Sequence, residues 1–127
     1  MRLREFLAPV ILTVLLAAPA SAECWATAET QAELASCACS ERETAASRLR
    51  AQLERLKTKH ETDPEVLALL AEAERRFEAF RSAHSAALLA AHGGSAALMC
   101  SCLAQASVSS AYARELAPKE EGDMCSW

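Results

Sequence analysis

Beyond residue 22 the apolar positions of this 127-residue chain recur at the three-and-four spacing of α-helices, and no stretch shows the period-two alternation of a half-buried strand. Leu49, Leu53 and Leu56 make one such series, with Arg42, Arg48, Arg50, Glu54, Arg55 and Lys57 crowding the opposite face. Val66, Leu70, Ala73, Phe77, Phe80, His84, Ala87 and Ala91 make a second, longer stripe that predicts Phe77 and Phe80 in a core. Polar punctuation sets the boundaries. Thr30 and Glu33 have capping-box spacing, and Ser40 and Glu43 repeat it, so a short helix over 31–39 is expected to break before a longer one from 41 to about 60. Asp63-Pro64 suits the start of the next helix, because Pro lacks an N–H that the first turn leaves unbonded anyway. Gly93-Gly94 ends it, and Ser95 can cap a third long helix from about 96 to 116. Gly and Pro are scarce inside these segments, as helix propensity requires. The fold expected is all-α, an antiparallel helical hairpin plus a third helix and a short N-terminal helix.

The first residues change the picture by setting the compartment. Arg2 and Arg4 precede an apolar run from Phe6 to Ala18, and Ala20-Ser21-Ala22 closes it with a small-x-small cleavage pattern. The run is shorter than the ~20 apolar residues a membrane-spanning helix needs. Residues 1–22 therefore read as a signal peptide, and residues 23–127 as one exported domain, periplasmic or secreted and not inserted in the membrane after cleavage. Removing Arg2, Arg4 and Glu5 takes the formal charge from −4 to −5. An acidic surface argues against nucleic acid and anionic membrane as partners and is compatible with a basic protein.

Six cysteines, Cys24, Cys37, Cys39, Cys100, Cys102 and Cys125, all follow the cleavage site. An even count in a short exported chain predicts a disulfide framework. The need for one is clear, since 24 alanines in this part of the chain leave only a thin core. If the two Cys-x-Cys segments run antiparallel, Cys37 meets Cys102, Cys39 meets Cys100, and Cys24 is left for Cys125. Residues two apart on a continuous helix point to nearly opposite sides, which makes that scheme easier if a helix breaks at Ser40. The competing reading gathers the four Cys-x-Cys thiolates around zinc or copper(I). Their spacing departs from the usual Cys-x2-Cys knuckle, so no metal and no cofactor is assigned.

No catalytic constellation emerges, and the chain does not read as an enzyme. His84 lies on the apolar stripe as a partly buried side chain, and His92 sits beside the glycines as a helix-end residue. There is no Gly-x-Ser-x-Gly elbow, and the glutamates lie on solvated faces near Arg or Lys. A binding protein, or an envelope protein whose helices assemble with a partner, remains the favoured class.

Taken in order, the motifs resemble the lysozyme inhibitor LprI-like family. They are Cys24 followed by Thr30 to Cys37, the block Glu74-Arg75-Arg76-Phe77-Glu78-Ala79-Phe80-Arg81-Ser82-Ala83, the turn Gly93-Gly94-Ser95, and Cys102 before Arg114-Glu115-Leu116. The likeness covers residues 24–116 and leaves 117–127 as a tail. Glu74, Phe77 and Ser82 stand where the family usually has glutamine, tryptophan and aspartate. Ser110 falls where an arginine is usual, His84 takes the place of a family cysteine, and Cys39, Cys100 and Cys125 are additional. The resemblance implies a mostly helical envelope protein, with lysozyme inhibition as the named activity and a protein, such as a basic lysozyme, as partner. A loop entering an enzyme's cleft would be His92-Gly93-Gly94-Ser95, the one turn with narrow, flexible backbone; a Gly helix end followed by a Ser cap accounts for the same residues without binding.

Overall fold

The computed structural model describes residues 20–119. Four helices follow one another: α1 (Ala20–Thr27), α2 (Gln31–Lys59), α3 (Pro64–His92) and α4 (Ala97–Leu116). The described residues contain no strand. The expected cleavage site falls at the start of α1, and residues 1–19 of the expected signal peptide lie outside the described residues, as does the tail from 120 onward.

Local chemistry accounts for most of the boundaries. The Thr30 hydroxyl accepts from the Glu33 N–H at 3.2 Å, and the Glu33 carboxylate accepts from the N–H groups of Glu29 and Thr30 at 2.9 Å each, a complete capping box. Those backbone donors, Glu29 first, hold the Glu33 carboxyl below its ordinary pKa. Asp63 caps α3 by accepting from the Val66 N–H at 3.1 Å, with Pro64 in the first turn. The expected break at Ser40 does not occur, since α2 runs unbroken from Gln31 to Lys59. No Gly or Pro interrupts that stretch, and Glu43, the would-be capping partner, pairs with Arg42 at 2.9 Å instead. Ser95 likewise does not cap α4, whose first turn is preceded by Ala96 without a side-chain cap.

The chain runs up α2, down α3 and up α4, so α2 and α4 are parallel. Arg42–Cys102, Arg55–Leu116 and Cys39–Cys102 make contacts at the nearly constant separations of 60, 61 and 63 residues. α3 runs antiparallel and leans chiefly on α4: Phe77 packs against Tyr112 with ring centroids 4.8 Å apart, and Ser85 and Ser101 share a hydrogen bond at 2.5 Å that Gln105 joins from 2.9 Å. The legs of the α2–α3 hairpin touch each other little; the main seam joins α2 to α4. It is closed at one end by Arg55, whose guanidinium donates to the Leu116 carbonyl at 2.5 Å and satisfies an orphan acceptor at the end of α4.

Two different cores result. At the end where α2 and α4 finish, Leu49, Leu53, Leu56, Leu70, Ala113 and Leu116 form a buried cluster, with Val66, Phe77 and Tyr112 packed on it. Toward the other end the buried residues are small: Ala35, Ala38, Ala45, Ala97, Ser101 and Ala106. Alanine lets helices approach closely but removes little apolar area from water, so this half depends on cross-links. The long α3 stripe is only partly used. Leu70 alone is buried on α3, Phe77 is half-buried, and Phe80, expected in a core, is 55% exposed. A helix resting on one neighbour buries a narrow strip, and the far half of this one carries its apolar residues into solvent.

The disulfide pairing differs from the antiparallel scheme. Cys24 bonds Cys37 across α1 and α2, and Cys39 bonds Cys102 across α2 and α4. With α2 continuous, Cys37 and Cys39 point to opposite sides and serve different helices, and parallel α2 and α4 are matched by a constant offset rather than a mirrored register. Neither Cys37–Cys102 nor Cys39–Cys100 forms. Cys24 is already bonded, so it is not available to Cys125, which lies outside the described residues. Cys100 has no disulfide partner among the described residues.

Candidate functional site

The two Cys-x-Cys motifs do not converge. Their sulfurs are divided between α1 and the α2–α4 seam, and the described residues hold no group of three or more His, Cys, Asp or Glu placed to bind a metal. The histidines are likewise dispersed. His60 caps the end of α2, His84 is half-buried and stacks on exposed Phe80 at 5.6 Å and 12°, and His92 is the exposed last residue of α3.

The turn His92-Gly93-Gly94-Ser95 is the feature that stands clear of the fold. All four residues are exposed. Gly93 and Gly94 both have positive φ, +51° and +74°, a conformation that costs an L side chain but not glycine. A Cβ built at either glycine meets nothing within 4 Å. The glycines are therefore required by backbone direction and not by crowding, and the tip projects freely. Two large apolar side chains flank it, Leu89 on the last turns of α3 at 43% exposure and Leu98 on the first turn of α4 at 53%.

The electrostatics of this end are distinctive. No Asp, Glu, Lys or Arg occurs between Arg81 and Arg114, so the returning half of α3, the turn and most of α4 carry no fixed charge apart from the histidines. The acidic excess of the chain resides elsewhere, in α1 and the turns at residues 28–30 and 60–63, in the first half of α3 and in the tail, while α2 carries six Lys and Arg against four Glu. The spacing rules point to the turn but not to its apolar flanks; the uncharged run marks the segment they lie in, not which of its side chains face outward. The cross-links lie in this half as well. Cys39–Cys102 fixes the first turns of α4 to α2, with Cα atoms 4.9 Å apart, and Cys24–Cys37 fixes α1 beside them at 5.7 Å.

The family model of the lysozyme inhibitor LprI matches residues 24–116. This chain belongs to the lysozyme inhibitor LprI family. No curated protein and no solved structure matches it. The LprI segment begins at Cys24, the first bonded cysteine, and ends at Leu116, the last member of the leucine cluster. The family match thus spans the fold from its first staple to the far end of its core. In this LprI protein His84 stacks on Phe80, and Cys39, not Cys37, makes the bond to α4. No helix among the described residues is long and apolar enough to cross a membrane.

Proposed function

We propose that this protein is exported, loses residues 1–22, and binds and inhibits a lysozyme or another wall-active protein by presenting the His92-Gly93-Gly94-Ser95 turn with Leu89 and Leu98 beside it. Family membership supports the class of activity. The observation that carries the choice of surface is the glycine turn, free of neighbours, on the uncharged and disulfide-anchored end of the bundle. A narrow tip of two glycines fits a concave site that a side chain would block, and the flanking leucines supply apolar area of the kind the buried centre of an interface uses. The net negative charge of the remaining body steers approach to a basic enzyme without sitting in the contact itself.

The test is a wall-lysis assay with residues 23–127 against lysozymes of several types. Leu98→Asp and Leu89→Asp should each weaken inhibition about thirtyfold, the effect of losing a ~2 kcal/mol hot spot, with unchanged thermal melting because both side chains are largely exposed. Added salt should slow association while leaving the dissociation rate nearly constant. Inhibition that survives both leucine changes would remove the turn from the interface, and no inhibition of any lysozyme type would remove the activity.

A further inference from the structure

α2 and α3 both rest on α4 and touch each other little. The cleft left between them holds about 250 Å³ and is lined from all three helices. Its two walls differ in chemistry. α2 supplies an apolar side of Ala46, Leu49 and Leu53. α3 supplies Glu74, Glu78 and Arg81, which share a helix face because they stand four and three residues apart. Lys57 of α2 reaches across to the Glu74 carboxylate at 3.1 Å and bridges one end, while Glu78 and Arg81 pair along the wall at 2.6 Å. With Arg50 included, the lining carries two carboxylates and two guanidinium groups, which balance.

A second observation lies on the α4 side of the cleft. Ser109 lines it, is 1% exposed, and among the described residues its Oγ has no hydrogen-bond partner. Ser101, the other buried serine of α4, is bonded to Ser85 and Gln105. A buried hydroxyl left unpaired opposes folding, and a helical serine commonly avoids this by bonding a carbonyl one turn back. Ser109 does not, so the remaining source of a partner is the cleft itself. Size and charge then fix the class of occupant. The volume is below the ~300–1,000 Å³ of sites for drug-sized molecules, which suits a single ring. Balanced charges favour neither a cation nor an anion, but they set planar acceptors and donors side by side. Adjacent hydroxyls on a ring match the Glu78–Arg81 pair, its C–H face can lie on Ala46, Leu49 and Leu53, and an inward hydroxyl completes Ser109.

We propose that the α2–α3 cleft binds one neutral polyhydroxylated ring, a cyclic polyol or a single sugar residue, between the Glu78–Arg81 pair and the leucine wall, with Ser109 as the innermost contact. The site is separate from the turn at residues 92–95, since Glu78 lies about 21 Å along α3 from His92 at 1.5 Å per residue.

Titration of the exported protein with glucose, N-acetylglucosamine and myo-inositol, followed by amide chemical shifts, tests the site. Saturable shifts at Leu53, Glu78 and Ser109 are expected with at least one of the three, at dissociation constants of order millimolar for so small a ligand. Added salt should not weaken them, because the ligand is uncharged. A glycan ending in the same ring binds as well if the site takes a chain end, and is excluded if it takes a free ring. Ser109→Ala should melt no lower than the parent, because it deletes an unpaired buried hydroxyl, yet bind the ring about tenfold more weakly. Ala46→Trp, which puts an indole into the cleft, should abolish the shifts. Unchanged affinity in Ser109→Ala would overturn the proposal. So would the absence of saturable shifts with all three rings in large excess, which leaves the hydroxyl to water alone. Shifts produced only by a zwitterion such as free lysine, and erased by salt, would overturn it in favour of an ionic ligand.

Discussion

Removing the Cys39–Cys102 bond should cost more than removing Cys24–Cys37, and the topology sets the difference. The first bond closes a loop of 63 residues that contains the whole of α3; the second closes one of 13. Loop-closure entropy assigns them about 4.3 and about 2.9 kcal/mol respectively, a gap of about 1.4 kcal/mol, or tenfold in the folding equilibrium. Domains of this size have total stabilities of roughly 5–15 kcal/mol, so either loss is a large fraction of the whole. The comparison is between C39A with C102A and C24A with C37A, since alanine suits a helix interior and leaves no lone thiol. Urea unfolding followed by circular dichroism at 222 nm gives both free energies. The slope on denaturant should also rise more for the longer loop, because releasing it expands the unfolded chain further. If the short-loop variant proves equally or more destabilised, the bonds act through local packing at buried Cys37 and Cys102 and the entropic reasoning fails.

Phe77→Ala should destabilise by about 2–3 kcal/mol, below the usual 3–5 for a fully buried ring because Phe77 is half-buried, whereas Phe80→Ala, 55% exposed, should stay within about 1 kcal/mol in the same assay. Tyr112, the single tyrosine, has its phenol pKa raised above the ordinary 10.0 by burial and, secondarily, by the nearby Glu74 carboxylate. The fold favours the neutral phenol, so this contribution to stability is complete below pH 10 and lost as pH rises through the raised value; a spectrophotometric titration at 295 nm should have its midpoint above 10, and a midpoint at or below 10 would contradict the burial.

Features decided within a few residues were legible in the sequence. Thr30–Glu33, Asp63-Pro64 and Gly93 mark helix ends because each satisfies or replaces backbone groups on the spot. The leucine series of α2 proved to be core because its spacing alone defines a face. Ser40–Glu43 shows the limit: a capping sequence acts as a boundary only where the chain has reason to stop, and nothing in α2 stops it. Phe80 shows another, since a stripe reveals which side of a helix is apolar but not how many neighbours cover it. The pairing of cysteines depended on helix direction, which is a property of the whole path; two connections, not one, separate α2 from α4. The glycine turn was visible, while its leucine flanks needed the placement of both helix ends.

The division of the bundle into a leucine-packed half and a stapled, alanine-rich half has a consequence for how the molecule can change. A surface whose neighbours are held by covalent bonds contributes little to the burial that keeps the chain folded. Substitutions at the exposed positions of this end, Leu89 and Leu98 among them, can therefore accumulate without drawing on the apolar core at the opposite end. The disulfides separate the freedom of this end to vary from the obligation of the chain to stay folded.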